Sequence, residues 1–302
     1  MSLGRKDGPA GSGPGSLTSV SPRILYTLAK KEFLDNVRSK WILGITFVFV
    51  VLSLVISYFG AAQSGGDTGF RDPRDTAAGM AGLSRIMVPI ISLMLGYGTI
   101  VNEKEQGSLA LLLSMPITRI ETVLGKFMGL GSVIATSIVA GLGLGGLIII
   151  GAAGGDGGPE YAAVIGGTVL SGLSFLGVGM LISTVSRSRG MALGLAVVCW
   201  FFFVIIFTVI LIGVLFATGG VPQGGPGGPS SSSLPDWFFG AQLANPATAY
   251  DLFSNVVLGQ QGPLQSGGYP GFVSAGTAAA SMVIWAVWPL LLSMALIDRQ
   301  DL

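Results

Sequence analysis

From Met191 to Phe216 the chain runs without a single charged side chain. Every backbone N–H and C=O in hydrocarbon must find its partner within the protein, and about 20 apolar residues in helical form cross a bilayer. Five further runs have this character: Trp41–Gly60, Ala77–Val101, Phe127–Gly151, Tyr161–Val185 and Phe272–Ile297, of which only the second holds a charge, Arg85. Charged residues are 10% of the chain against about a quarter in soluble domains, and mean hydropathy is +0.73. The expected fold is an all-α polytopic membrane protein with six transmembrane helices.

The same composition excludes functions. There is no histidine and one cysteine, Cys199, so a disulfide within the chain, a His general base and a His metal site are ruled out. A net charge of +1 offers no broad footprint for nucleic acid. Gly125-Lys126-Phe127 lacks the glycine spacing and the hydroxyl residue of a nucleotide-binding loop, so any ATP must be hydrolysed by another subunit. Glu103 and Glu105 lack the pocket and oxyanion donor of an acid/base pair. No enzymatic centre is expected in this chain.

Residues 1–20 are rich in Gly, Ser and Pro and read as a disordered tail. Residues 21–40 then read as an amphipathic helix in the headgroup plane, with Leu25, Leu28, Ala29, Phe33 and Val37 on one face and Lys30, Lys31 and Arg38 opposite. Arg85, near the end of its run, is expected to snorkel to the interface. Residues 217–271 form the long connection. It opens with Gly/Pro/Ser low complexity at Gly219–Ser233, continues with an aromatic interfacial anchor at Trp237-Phe238-Phe239, and ends in a short helix capped by Asn245-Pro246. Residues 298–302 are a short tail. Thirteen of the 16 basic residues fall on the side of the termini, which places both termini in the cytoplasm and the long loop outside it.

Residues 102–126 make an elbow on the cytoplasmic side. Ser108 can cap a short helix that Pro116 must end, and Thr118 with Glu121 forms a capping box for the next span. An amphipathic element held at the membrane surface is a handle for a soluble partner. Within the spans, Gly125/Gly129, Gly141/Gly145 and Gly190/Gly194 have the spacing that lets helices pack closely in lipid. Met80, Met87 and Met94 recur every seventh residue, which puts them on one face, and with Cys199 they offer soft ligands for Cu(I); packing is the simpler use of them.

Val101-Asn102-Glu103-Lys104-Glu105-Gln106-Gly107-Ser108, running into Leu111-Leu112-Leu113-Ser114-Met115-Pro116-Ile117-Thr118-Arg119, resembles the ABC-2 type permeases of ATP-binding cassette transporters. Lys31-Glu32-Phe33 with Asp35, Met87-Val88-Pro89-Ile90 and Asn245-Pro246 with Tyr250 extend the likeness from Lys30 to Ile297, most of all to the NosY type. The resemblance implies a permease at the cell membrane that forms a homodimer, each copy docked on an ABC-type ATPase subunit that binds ATP and Mg. Helix 21–40 would be the connecting helix, Glu103–Arg119 the coupling element, and Glu103, Glu105, Gly107, Pro116 and Arg119 the coupling residues. It also implies that an extracytoplasmic partner would dock on the outer loop. Two other functions fit the residues: a maturation factor that passes copper or sulfur to an extracytoplasmic metalloenzyme, with Met87, Met94 and Cys199 as ligands, and an unpowered membrane scaffold.

Overall fold

A computed structural model describes residues 22–37, 44, 47–48, 50–52, 54–55, 73–107, 118–153, 157–219, 234–260 and 268–298. The tail 1–20, more than half of the expected span 41–60, the elbow helix with Pro116, and almost all of Gly219–Ser233 lie outside them. The regular elements among the described residues are all helices, with no strand. Five of their helices are long and apolar enough to cross a membrane: Ala77–Glu105, Arg119–Leu147, Gly158–Val185, Arg189–Ala217 and Ala275–Ile297.

The elements are α1 (Pro22–Val37), α2 (Pro73–Gly96), α3 (Val101–Glu105), α4 (Arg119–Ala153), α5 (Gly158–Val185), α6 (Arg189–Phe201), a π-helical turn (Phe202–Ile206), α7 (Phe207–Ala217), α8 (Asp236–Leu243), α9 (Pro246–Leu258) and α10 (Ala275–Asp298). Their ends obey local chemistry. Thr118 N–H donates to Glu121 Oε2 at 2.9 Å and Glu121 N–H to Thr118 Oγ1 at 3.1 Å, the expected capping box. It starts α4 at Arg119, so the helix that carries the third apolar run begins eight positions before Phe127 and takes in residues 119–126. Asn245 caps α9 by accepting from Ala247 N–H at 2.8 Å, Pro246 occupies the first turn, and Gly259 closes the helix at φ 65°.

Helix α5 is the centre of the bundle, packed by α2, α4, α9 and α10. Its backbone meets that of α2 directly: a Cβ added to Gly96 would lie 3.0 Å from Gly179 Cα. Hydroxyls tie the remaining contacts. Ser174 donates to the Met282 carbonyl at 2.7 Å, and Thr168 bonds the Tyr250 hydroxyl at 2.8 Å. In lipid such small residues and hydroxyls replace the hydrophobic effect as the source of helix association.

Burial refines several expectations. The aromatic anchor is mostly interior: Trp237 is exposed, whereas Phe238 and Phe239 are buried against Leu211, Leu215 and Leu252. Helix α9, the expected short capped helix, is packed into the bundle, with Ala247, Ala249, Tyr250 and Leu252 buried among α2, α5 and α10. Among the described residues Gly190 and Gly194 have no close packing partner, since a Cβ at either meets no atom within 4 Å. The methionines are not equally buried: Met80 is in the core while Met87 and Met94 are exposed, and since seven-residue spacing drifts only about 20° per step, the difference comes from what covers each level of the helix.

Candidate functional site

The second span breaks at Tyr97–Ile100 before α3 resumes it, and a break leaves backbone donors without helical partners. Ser183 of α5 supplies one: its Oγ accepts from Ile100 N–H at 2.9 Å and from Val101 N–H at 3.0 Å. Lys104 then reaches the Thr184 carbonyl at 2.6 Å. The break is thereby fixed to the C-terminal turn of α5, and α3 carries Glu103 and Glu105 out toward the elbow.

Glu103 meets Lys126. The Lys126 ammonium lies 2.7 Å from Glu103 Oε1 and 2.8 Å from Glu32 Oε1, and it is nearly buried at 5% exposure. One cation therefore joins α1, α3 and α4. Helix α1 can come this close because its half-buried stripe, Leu25, Leu28, Ala29, Glu32 and Phe33, faces glycines of α4, while Lys30 and Lys31 stay exposed as expected. A Cβ at Gly125 would lie 2.6 Å from Leu28 Cδ2, and one at Gly129 2.5 Å from Glu32 Cβ. The Gly125/Gly129 pair is the seat of α1.

The other expected coupling residues are placed as follows. Glu105 accepts from the Arg189 backbone N–H at 2.8 Å, satisfying an orphan donor at the start of α6. Gly107 is exposed at φ 67°, a left-handed turn that suits glycine. Arg119 donates to the carbonyl of Ile297, near the end of α10. Pro116 lies outside the described residues. Glu103, Glu105 and Arg119 thus hold α4, α6 and α10 around the two ends of the elbow. Lys126 and Glu32 were met in sequence only within longer motifs and not as site residues, although a lysine opening an apolar run calls for either a snorkelling path or a partner.

A second polar cluster lies toward the other end of the bundle. Arg85 does not snorkel outward. Its Nη1 sits 3.0 Å from Asp251 Oδ2, and its Nη2 donates to Thr208 Oγ1 at 3.0 Å. The reason is α9, which folds back into the bundle and brings a carboxylate to the one charge of the second span. Burial raises the Asp251 carboxyl to about 7, while Arg85 pulls in the opposite direction. The pair borders a cavity of about 660 Å³ between α2, the π-turn with α7, α8 and α9. Asp251 was legible only as an isolated acid in an otherwise uncharged helix.

No cluster of three or more His, Cys, Asp or Glu suited to a metal occurs among the described residues. Met87 and Met94 point out of the bundle, and Cys199 is half-buried beside Leu93 and Phe175.

Residues 26–302 match the family profile described as ABC-2 family transporter protein. A curated relative from Pseudomonas aeruginosa, "Probable ABC transporter permease protein NosY", is 32% identical over 293 residues, covering 92% of this chain and 99% of the relative. A protein of the same name from Stutzerimonas stutzeri is 36% identical over 201 residues, covering 65% of this chain and 72% of its own length.

Proposed function

The chain belongs to the ABC-2 family of transporter proteins, and from that premise we propose that it is the membrane-spanning permease of a transporter driven by ATP hydrolysed on a separate ABC-type ATPase subunit. The observation that supports this reading is the anchoring of the elbow. Glu103 and Glu105 precede residues 108–117 and Arg119 follows them. Between them, with Lys126, they bond to α1, α4, α6 and α10. A push on the intervening segment by a docked ATPase would move four helices as one, whereas a plain connector needs no such attachments.

The functional unit is a homodimer with its termini cytoplasmic. The helix Arg189–Ala217 favours this, being both the most apolar candidate span and the least buried, at 17%. Val197, Val198, Phe201 and Ile210 are exposed along it beside the open Gly190 and Gly194.

The test is co-purification with the candidate ATPase, comparing the wild type with a variant whose residues 108–117 are scrambled but whose Glu103, Glu105 and Arg119 are intact. Loss of the ATPase from the scrambled form supports the docking role. Retention by both forms places the docking surface elsewhere, and failure of both to bind an ATPase overturns the reading. Replacing Glu105 or Pro116 is expected to preserve membrane insertion and to uncouple ATP hydrolysis from transport.

A further inference from the structure

We infer that the cavity bordered by Arg85 and Asp251 is a binding site for an amphiphile with an anionic head, the head held at Arg85 and the tail along the apolar wall. The inference concerns binding alone and stands apart from ATPase docking.

The cavity has two unlike walls. On the side of the spans it is lined by Gly82, Ile86, Ile205, Val209 and Ile212, of which Ile86, Ile205 and Val209 are exposed on the outer face of the bundle. A hydrocarbon chain can enter from that side without crossing polar surface. The opposite wall, from α8 and α9 and the segment beyond, presents Gln242, Asn255 and Tyr269 among the apolar Phe238, Phe239 and Leu252. At about 660 Å³ the space lies in the range of about 300–1,000 Å³ that small-molecule pockets occupy.

The charge of the head follows from Arg85. A guanidinium has five N–H donors, and the bonds to Asp251 and Thr208 leave others for a ligand. It cannot lose its charge, whereas burial favours the neutral form of Asp251. Of the two members of the pair, Asp251 is the one that can withdraw by taking a proton, leaving a cation to be neutralised by an incoming acid. A cationic head would instead be repelled by Arg85. The π-turn at Phe202–Ile206 widens the helix at this wall, a distortion found often where helices line functional sites.

Bromine quenches indole fluorescence on contact, and Trp200 lines the cavity. The full chain, purified in an uncharged detergent, would be titrated with dibromostearate and with the matching dibrominated alcohol. Saturable quenching by the acid, largely lost in Trp200→Phe, is expected. Arg85→Gln should weaken the acid about tenfold, the value of one charge-assisted hydrogen bond, and leave the alcohol unchanged. Gly82→Leu keeps the ion pair, since a Cβ there meets nothing within 4 Å, and it should fold normally while filling the space and removing the quenching. Equal affinity for acid and alcohol, or quenching indifferent to both substitutions, overturns the assignment.

Nanodiscs separate the two sources of such a molecule. Quenching by brominated phosphatidylglycerol but not by brominated phosphatidylcholine, sensitive to Arg85→Gln, identifies the occupant as a lipid of the bilayer. Quenching by the free acid alone identifies a single-chain solute. Quenching by neither overturns the inference.

Discussion

Lys126 of α4 and Glu32 of α1 are joined at 2.8 Å across 94 positions of sequence, and the same ammonium holds Glu103. Removing it leaves two carboxylates facing each other in a largely buried junction. Breaking a buried pair by deleting one partner costs about 3–5 kcal/mol, and the partial exposure of both glutamates lowers that to about 2–3 kcal/mol here. Lys126→Met should therefore lower the thermal midpoint in detergent and free α1 for proteolysis. If Lys126→Met with Glu32→Gln is no more stable than Lys126→Met alone, the pair is not what seats α1.

Gly129 and Gly194 should respond oppositely to alanine. At Gly129 the added Cβ would lie 2.5 Å from Glu32 Cβ and 2.8 Å from the Ala29 carbonyl oxygen, so α1 must shift, at a cost of about 1–3 kcal/mol. At Gly194 it meets nothing within 4 Å, and the gain in helix propensity, up to about 1 kcal/mol, should appear as equal or higher stability of the single chain. A fall in dimer content in Gly194→Ala, measured by light scattering with detergent correction, would place this face in the seam between copies.

Ser183 accepts from both Ile100 and Val101 N–H where the second span breaks. Ser183→Ala orphans two buried donors and should cost about 2–6 kcal/mol, at about 1–3 kcal/mol for each buried group left unpaired. Faster hydrogen exchange confined to residues 97–105 would locate the loss. Unchanged exchange there would show that the break finds its partners elsewhere.

Asp251 should give the protein a pH-dependent stability. Burial raises its folded carboxyl to about 7, above the 3.8 of an ordinary aspartate, so the folded state binds the proton more tightly than the unfolded one. The stabilisation is complete below about 3.8 and is lost as pH rises through about 7. Thermal unfolding across that window should show a midpoint that falls with pH, and Asp251→Asn should flatten the slope. A variant with the wild-type slope would assign the dependence to another group.

Much of this architecture can be read along the chain. Uncharged runs marked the helices, because a backbone in hydrocarbon has no other way to satisfy its polar groups. Thr118 with Glu121 and Asn245 with Pro246 marked helix starts, because capping is settled within three or four residues. Gly125 and Gly129 marked a close contact without revealing that the contact was α1.

What remained for tertiary structure to decide was the partner of each charge. Arg85 looked free to reach the interface until α9 brought Asp251 to it, and Glu103 reads the same in sequence whether it faces water or Lys126. Composition, periodicity and caps are properties of neighbouring residues, and they determined the helices, their ends and the family pattern of this protein. An ion pair between distant segments depends on which helices pack together and at what rotation. That is set by the sum of many small contacts along α5, and no stretch of the chain carries it alone.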